Sequence, residues 1–273
     1  MDDDARRHYE LGVEQPRLAG GSGLLEFART QEVLRRHLPP APATVLDVGG
    51  GPGMHARWLA SDGHRVHLVD PIDLHVRQAR EASAAQPDHP FTASLGEARA
   101  LAAADRSADV VLLLGPLYHL LSREDRLGAI REALRVVRPR GLVVAAAISR
   151  YASLLDSLMR GFIRDPEFLP ILLRDLQDGQ HRNPGGSPEW FTTAFFHHPD
   201  ELAQEVVDAG LELVEVVGVE GPGWLLPDVG DRWTDESWRE SLLFAARAVE
   251  TEATMRGASA HLLAVARRPS EPG

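Results

Sequence analysis

From residue 44 to about residue 148, short apolar runs alternate with amphipathic stretches. Thr44–Val48 is a compact apolar run, and Met54–Ala60 a helical segment closed by Asp62-Gly63. A second run, Arg65–Val69, ends at Asp70, and Asp73–Ala82 has helical spacing. Phe91–Ser94 is a weak third strand and Asp109–Leu114 a fourth. Ser122-Arg123-Glu124-Asp125 has the form of a capping box and opens a helix to about Val137. Gly141–Ile148 is a fifth strand. Strands four and five are apolar at successive positions, so both faces are covered, as in a parallel sheet flanked by helices. Strand–helix alternation with right-handed crossovers predicts a doubly wound α/β sheet.

The same pattern sets the outer boundaries. Residues 1–23 are polar and glycine-rich and read as a mobile arm carrying Tyr9 and Arg17. Leu24, Phe27, Leu34 and Leu38 lie on one helical face, and Pro39-Pro40-Ala41-Pro42 ends that helix. Residues 1–43 are thus an arm and cap helix, and 44–149 an α/β core. The rhythm breaks after Arg150. Residues 151–181 look helical, Asn183–Pro188 a loop, and Trp190–His198 aromatic and histidine-rich, so 150–198 reads as a helical lid insertion. Alternation resumes in 199–273, which completes the core. There Pro199 starts a helix that stops before Gly210, and Leu211–Val219 is a strand. A long helix is expected from Thr234 to about Arg256, and His261–Arg267 is the last strand.

Composition narrows the chemistry. The 273 residues contain no cysteine, which excludes disulfides, thiolate metal sites and a cysteine nucleophile. All 29 basic side chains are arginine, so lysine-based chemistry is excluded too. The formal charge is −11, and the arginine pairs Arg35-Arg36 and Arg267-Arg268 form no basic stripe, so no nucleic-acid partner is expected. No apolar stretch approaches a membrane-spanning length, and the acidic start, Met1-Asp2-Asp3-Asp4, is not that of a signal peptide. The expectation is a cytoplasmic protein with no membrane partner; the oligomeric state stays open.

The stretch Val45-Leu46-Asp47-Val48-Gly49-Gly50-Gly51-Pro52-Gly53 carries the most chemistry. A buried strand ends in an acid and a glycine-rich turn, and a helix follows whose first amides lack intrahelical partners. A dinucleotide fingerprint wants G-x-G-x-x-G. Here Gly49, Gly51 and Gly53 give G-x-G-x-G, and the absence of lysine excludes a phosphate-binding P-loop. Asp47, two residues before the first glycine, repels a pyrophosphate and favours an ammonium group. The ligand is therefore cationic where a dinucleotide is anionic.

This stretch, with Asp70 ending the second strand, resembles the first two motifs of class I S-adenosylmethionine-dependent methyltransferases. Leu95-Gly96-Glu97-Ala98 resembles their third motif and Leu112–His119 their fourth. Arg138-Pro139-Arg140-Gly141 resembles the turn before their fifth strand, with Arg140 at a usual glycine. The resemblance covers roughly 25–150 and 195–267 and is closest to bacterial small-molecule enzymes, some of secondary metabolism. It implies a Rossmann-like seven-stranded sheet, S-adenosyl-L-methionine as cofactor and S-adenosyl-L-homocysteine as product. By the same resemblance, Asp70 accepts the ribose hydroxyls and Asp47 faces the methionine ammonium. Gly49, Gly51 and Gly53 admit the cofactor, Pro71 packs on the adenine, and Glu97 and the Ala98 amide read its edge. Leu114 and Gly115 line the methionine arm, and Tyr9 closes over the cofactor.

Methyl transfer is an in-line displacement, so alignment of the acceptor dominates. A base is needed only for an acceptor that must lose a proton. His119, beside Tyr118 just past strand four, is the first candidate, since imidazole titrates near neutrality. Arg150, Tyr151, Phe195, Phe196 and Trp224, with Tyr118 and His119, are expected to line the substrate pocket. Such a pocket suits a small aromatic or apolar metabolite methylated on carbon, nitrogen or oxygen. Two alternatives stand beside it: a methyltransferase acting on a peptide, protein or RNA, and a nucleotide-binding protein without catalysis. No metal cluster is visible in the sequence.

Overall fold

The computed structural model describes residues 3–10, 12, 17–187 and 189–270. Helix α1 spans Asp3–Glu10 and α2 spans Gly23–His37. The alternation follows as β1 (Thr44–Val48), α3 (Met54–Ser61), β2 (Arg65–Asp70), α4 (Asp73–Ala84), β3 (Thr92–Leu95), β4 (Ala108–Leu113), α5 (Arg123–Val136) and β5 (Val137–Ser149). Then come α6 (Ala152–Arg160), α7 (Leu169–Asp178), β6 (Gln180–His181), β7 (Ala194–His197), α8 (Pro199–Asp208) and β8 (Glu212–Gly218). Helices α9 (Val229–Trp233) and α10 (Glu236–Val249) precede β9 (His261–Arg267).

Strands β3-β2-β1-β4-β5 lie side by side and parallel. On the far side of β5 lies β9, antiparallel from Leu142↔Arg267 to Ile148↔His261, and β8 pairs antiparallel with β9. Those seven strands form the expected doubly wound sheet. Two short strands add to it: β7 meets only the end of β5, at Ile148↔Phe196 and Ser149↔His197, and β6 pairs with β7.

Strand β4 shows why the sheet needs helices on both faces. Val111 and Leu113 join one core with Leu127 and Ile130 of α5 and Leu202 and Val206 of α8. Val110 and Leu112 join the other with Val33 and Leu34 of α2, Leu59 of α3 and Val76 of α4. Successive side chains of a strand point to opposite faces, so all four are buried. Half of the expected capping box before α5 forms: the Ser122 hydroxyl accepts from the Asp125 amide, while the Asp125 carboxylate accepts from that hydroxyl and from Arg99. Arg140 takes φ 62°, the left-handed conformation that glycine adopts at low cost.

Three expectations change. The arm is not wholly irregular: α1 is a helix and Tyr9 is buried, while residues 1–2, 11 and 13–16 lie outside the described residues. The segment 150–198 is not wholly helical; α6 and α7 are followed by β6 and β7, whose Phe195 and Phe196 are both buried. Pro188 of its loop lies outside the described residues. The helix expected over 234–256 is confined to Glu236–Val249, capped by the Asp235 carboxylate on the Trp238 amide. Among the described residues, no helix is long and apolar enough to cross a membrane.

Candidate active site

Parallel strands deliver their carboxyl ends to one edge of the sheet. The order reverses between β1 and β4, where open α/β sheets hold their ligands. The turns leaving β1, β2, β3 and β4 wall a cavity of about 460 Å³ there, lined by Gly49–Pro52, Asp70–Ile72, Leu95–Arg99 and Leu114–Pro116.

The turns meet too closely for side chains. Gly49 and Gly51 have φ of 70° and 57°, a region costly for other residues. A Cβ on Gly115 would lie 2.7 Å from the Gly49 carbonyl oxygen, and one on Gly50 2.6 Å from an Asp47 carboxylate oxygen. Backbone therefore faces the cavity on this side. Gly53, at φ 91°, sits at the N-cap of α3 outside the lining, so its part is to start the helix.

Two acids stand at this edge with opposite surroundings. Asp70 is tied into the chain: one oxygen accepts from the Gly51 amide at 2.9 Å, the other from the Ile72 amide at 2.9 Å and pairs with His75 Nδ1 at 3.1 Å. It lines the cavity, so a ligand would share a carboxylate that already orders the turns of β1 and β2. Asp47 is fully buried beneath Gly50, outside the lining, and neither oxygen has a hydrogen-bond partner. Burial, with the Asp70 charge adding to it, pushes its pKa up to about 7. An orphaned acid under a backbone cradle is the electrostatic setting for a cationic ligand, and the residues present fit the sulfonium cofactor on that ground.

Other expected contacts also reach this cavity. Pro71, Glu97, Ala98, Leu114 and Gly115 line it. Glu97 accepts from Arg99 at 2.7 Å and is partly exposed. From α1, Tyr9 lines it as well, its hydroxyl 2.7 Å from His119 Nε2 and its ring edge-on to His75 and His119.

A second cavity, of about 410 Å³, opens beside the first under residues 150–198. Its walls are aromatic: Phe162, Phe168, Trp190, Phe191, Phe196 and Trp224. Five residues line both cavities: Tyr9, Arg17, Glu26, Tyr118 and His261.

Of the expected substrate residues, Tyr118, Phe196 and Trp224 line the second cavity. Four lie elsewhere. His119 lines only the first cavity and is engaged by Tyr9, so it is placed to hold α1 rather than to meet an acceptor. Phe195 alternates with Phe196 on β7 and so points the opposite way, beneath the Arg126 guanidinium 3.7 Å from its ring centre. Arg126 is buried and forks onto Glu205, whose pKa falls to about 2: burial opposes the fall, but His197 and Arg126 outweigh it. Arg150 is buried and joins the Phe196 carbonyl and Glu201, which fixes the β5–β7 junction. Tyr151 is 41% exposed and faces a separate surface cleft.

The sequence reading missed Glu220 and His261. They lie 41 residues apart, at the end of β8 and the start of β9. The antiparallel register that pairs Gly218 with Leu262 brings them together. An acid in a glycine-rich turn, Gly218-Val219-Glu220-Gly221, and a histidine heading the last strand were the available signals. His261 Nδ1 donates to Glu220 Oε1 at 2.5 Å. Arg17 forks onto Glu26 at 2.6 and 3.1 Å. Among the described residues, Glu26, Glu220 and His261 also bring ligand atoms within 4.8 Å of one another, a cluster that the sequence did not reveal. Its two acids face Arg17 and His261, so the charges are matched within the chain.

Fold and site together define a nucleotide-type α/β protein whose cavity suits a cation-bearing ligand. The family model for the methyltransferase domain matches residues 45–141. A ubiquinone biosynthesis O-methyltransferase of Methylobacterium nodulans is 29% identical over 73% of this chain and 70% of its own length. A protein of the same name from Methylobacterium sp. strain 4-46 is 30% identical over 66% of this chain and 64% of its own. The solved S-adenosylmethionine-dependent methyltransferase of Methanosarcina mazei shares the fold, with a TM-score of 0.59 at 17% identity, over 88% of this chain and 98% of that one. Residues 45–141 thus match a methyltransferase domain, and the fold is one that solved S-adenosylmethionine-dependent methyltransferases share. That family implies S-adenosylmethionine as the methyl donor.

Proposed function

We propose that this enzyme methylates a small aromatic metabolite where the two cavities meet. The observation that carries the reading is the wall shared by Tyr9, Arg17, Glu26, Tyr118 and His261, which puts a donor cavity and an aromatic cavity in contact. S-adenosylmethionine, when bound, supplies a methyl group on a positively charged sulfur. The chain's own residues do the rest. Asp70 and the Gly49–Gly51 backbone hold the nucleoside half, Pro71, Glu97 and Ala98 its base, and buried Asp47 balances the positive charge from beneath. Leu114 and Gly115 flank the methionine half, and α1 covers it with Tyr9.

In the second cavity, Trp190, Phe191, Phe196 and Trp224 offer flat apolar faces to a ring, with Tyr118 at the junction. Positioning of this kind supplies about 7–11 kcal/mol of barrier reduction in favourable cases. The two Methylobacterium relatives are named for O-methylation in ubiquinone biosynthesis, which favours oxygen as the accepting atom. A cavity of this size supports a compact acceptor over a peptide or RNA strand.

Two measurements test the reading. Calorimetry with S-adenosylmethionine is expected to show one site per chain. A labelled-methyl assay on a metabolite panel, with mass spectrometry of the product, is expected to mark aromatic acceptors. Labelling confined to peptides or RNA would reverse it.

A further inference from the structure

Five histidines line the two cavities, and their ring nitrogens are used differently. His119 Nε2 is paired with the Tyr9 hydroxyl, and His75 Nδ1 with Asp70. Burial lowers the His55 pKa to about 4, and its Nδ1 accepts from the Trp58 indole. His181 spends both nitrogens, Nδ1 on Asp175 at 2.8 Å and Nε2 on the Phe191 carbonyl at 3.0 Å, and so braces β6 against the segment before β7. Among the described residues, His75 Nε2 and His261 Nε2 both make no hydrogen bond, but His75 lines only the first cavity. His261 differs by its place: its Nδ1 is held by Glu220, and it is the histidine on the shared wall.

The partner is built to hold that ring. Glu220 is 1% exposed, and its second oxygen accepts from the Ser259 hydroxyl at 2.6 Å and the His261 amide at 3.0 Å. The Ser259 hydroxyl also accepts from the Glu220 amide at 2.8 Å. A carboxylate whose second oxygen is fixed by two donors fixes the imidazole in turn through the first, with Nε2 as the working nitrogen. A buried acid orienting a histidine whose other nitrogen faces a reactant is the arrangement that general-base catalysis requires.

We infer that Glu220 and His261 form a catalytic dyad that takes the proton from the hydroxyl of a phenol-type acceptor during methylation. The inference rests on the methyl-transfer reading above and narrows its acceptor to an aromatic hydroxyl. The step balances: the acceptor O–H bond breaks and its proton goes to Nε2. The O–CH3 bond forms as the S–CH3 bond breaks, and that electron pair stays on sulfur as the neutral thioether. The Glu220 carboxyl group holds Nδ1 throughout. His261 is a catalytic residue in this account and Glu220 a positioning residue.

Charged groups face His261 from three elements: Glu220 beyond β8, Glu26 on α2, and Arg17 on the turn Arg17–Ala19. Burial alone would lower the His261 pKa, and Glu26 and Glu220 outweigh it and push it up to about 9. At neutral pH the resting dyad holds a proton and must lose it before it accepts another. Turnover therefore climbs with pH until about 9.

The test is methyl transfer from S-adenosylmethionine to para-substituted phenols, from 4-nitrophenol to 4-methoxyphenol, between about pH 6 and about pH 10. Wild-type kcat with 4-methoxyphenol is expected to rise along that range. His261→Gln is expected to lower it about 10²–10⁴-fold at neutral pH and to replace the wild-type levelling near pH 9 with a rise that follows the phenol's own ionisation. The loss with 4-nitrophenol, which ionises unaided, is expected to be much smaller, and the affinity for S-adenosylmethionine unchanged. Glu220→Gln is expected to cost less and to move the rise to lower pH, because a negative charge beside the ring is gone. His261→Asn serves as the second variant should the glutamine variant not fold, with unchanged cofactor affinity as the criterion of folding.

An unaltered rate and pH profile in the folded His261 variants would overturn the dyad. So would a wild type that binds S-adenosylmethionine and methylates only nitrogen or carbon acceptors, and so would activity lost to EDTA and restored by Mg²⁺. Failure to bind S-adenosylmethionine at all would instead overturn the broader reading.

Discussion

The two cavities are built by opposite means. The donor cavity is walled by backbone on its strand-end side: four turns, glycines where a Cβ has no room, and one carboxylate tying two turns together. The aromatic cavity is walled by side chains from α6, the turn after it, the segment before β7, β7 itself and the turn Gly221–Leu225. A backbone wall tolerates almost no change in shape, whereas a side-chain wall is retuned one ring at a time. The first arrangement suits a ligand that never varies and the second an acceptor that does.

Substitutions on the two sides are accordingly expected to differ in kind. The largest effect falls on the backbone wall. Gly115→Val should weaken S-adenosylmethionine binding about a hundredfold, roughly 3 kcal/mol, because its Cβ meets the Gly49 carbonyl. Calorimetry checks it, and an unchanged Kd would mean that the β1 and β4 turns move freely. Asp47 comes next. Its folded pKa is raised above the unfolded value, so wild-type stability is lost as pH rises from about 4 to the folded pKa of about 7. Asp47→Asn should therefore stabilise the ligand-free enzyme by roughly 2 kcal/mol at about pH 8, read as a higher Tm, and not at about pH 4. The same change should weaken cofactor binding. A Tm gain equal at both pH values would contradict an ionised, unpartnered acid.

On the aromatic side, Trp190→Ala is expected to raise the acceptor KM about tenfold, roughly 1.4 kcal/mol, with the cofactor Kd unchanged. A change in the cofactor Kd instead would mean that the cavities are not separable. The smallest effect is expected at Tyr151, which is exposed and lines neither cavity. Tyr151→Ala should alter turnover and stability by less than about 0.5 kcal/mol, read by kcat/KM and thermal melting.

How far the sequence could be read follows the same division. Local rules write the core strands, so β1, β2 and β4 appear within one residue of the apolar runs, and the glycine turn sits where Asp47–Gly53 announced it. The donor cavity is assembled from those local turns, and nearly all the residues expected to line it do so. The aromatic cavity depends on pairings between distant segments. No local pattern tells that β7 adds to the end of β5, and it is that pairing which turns Phe196 toward the cavity and Phe195 onto Arg126. Helix α1 is stabilised through Tyr9 meeting His119 across 110 residues, a contact that a polar, glycine-rich arm does not advertise. Glu220 and His261 likewise become neighbours only once the β8–β9 register is fixed.

In the proposed reaction, methyl donor and acceptor meet at the wall of Tyr9, Arg17, Glu26, Tyr118 and His261. The decisive measurement is a crystal structure with S-adenosylhomocysteine. The nucleoside is expected against Asp70 and Pro71 and the sulfur facing that shared wall, with the aromatic cavity open beyond it. A sulfur turned away from Tyr118 and His261, or a nucleoside bound outside the turns of β1 and β2, would contradict it.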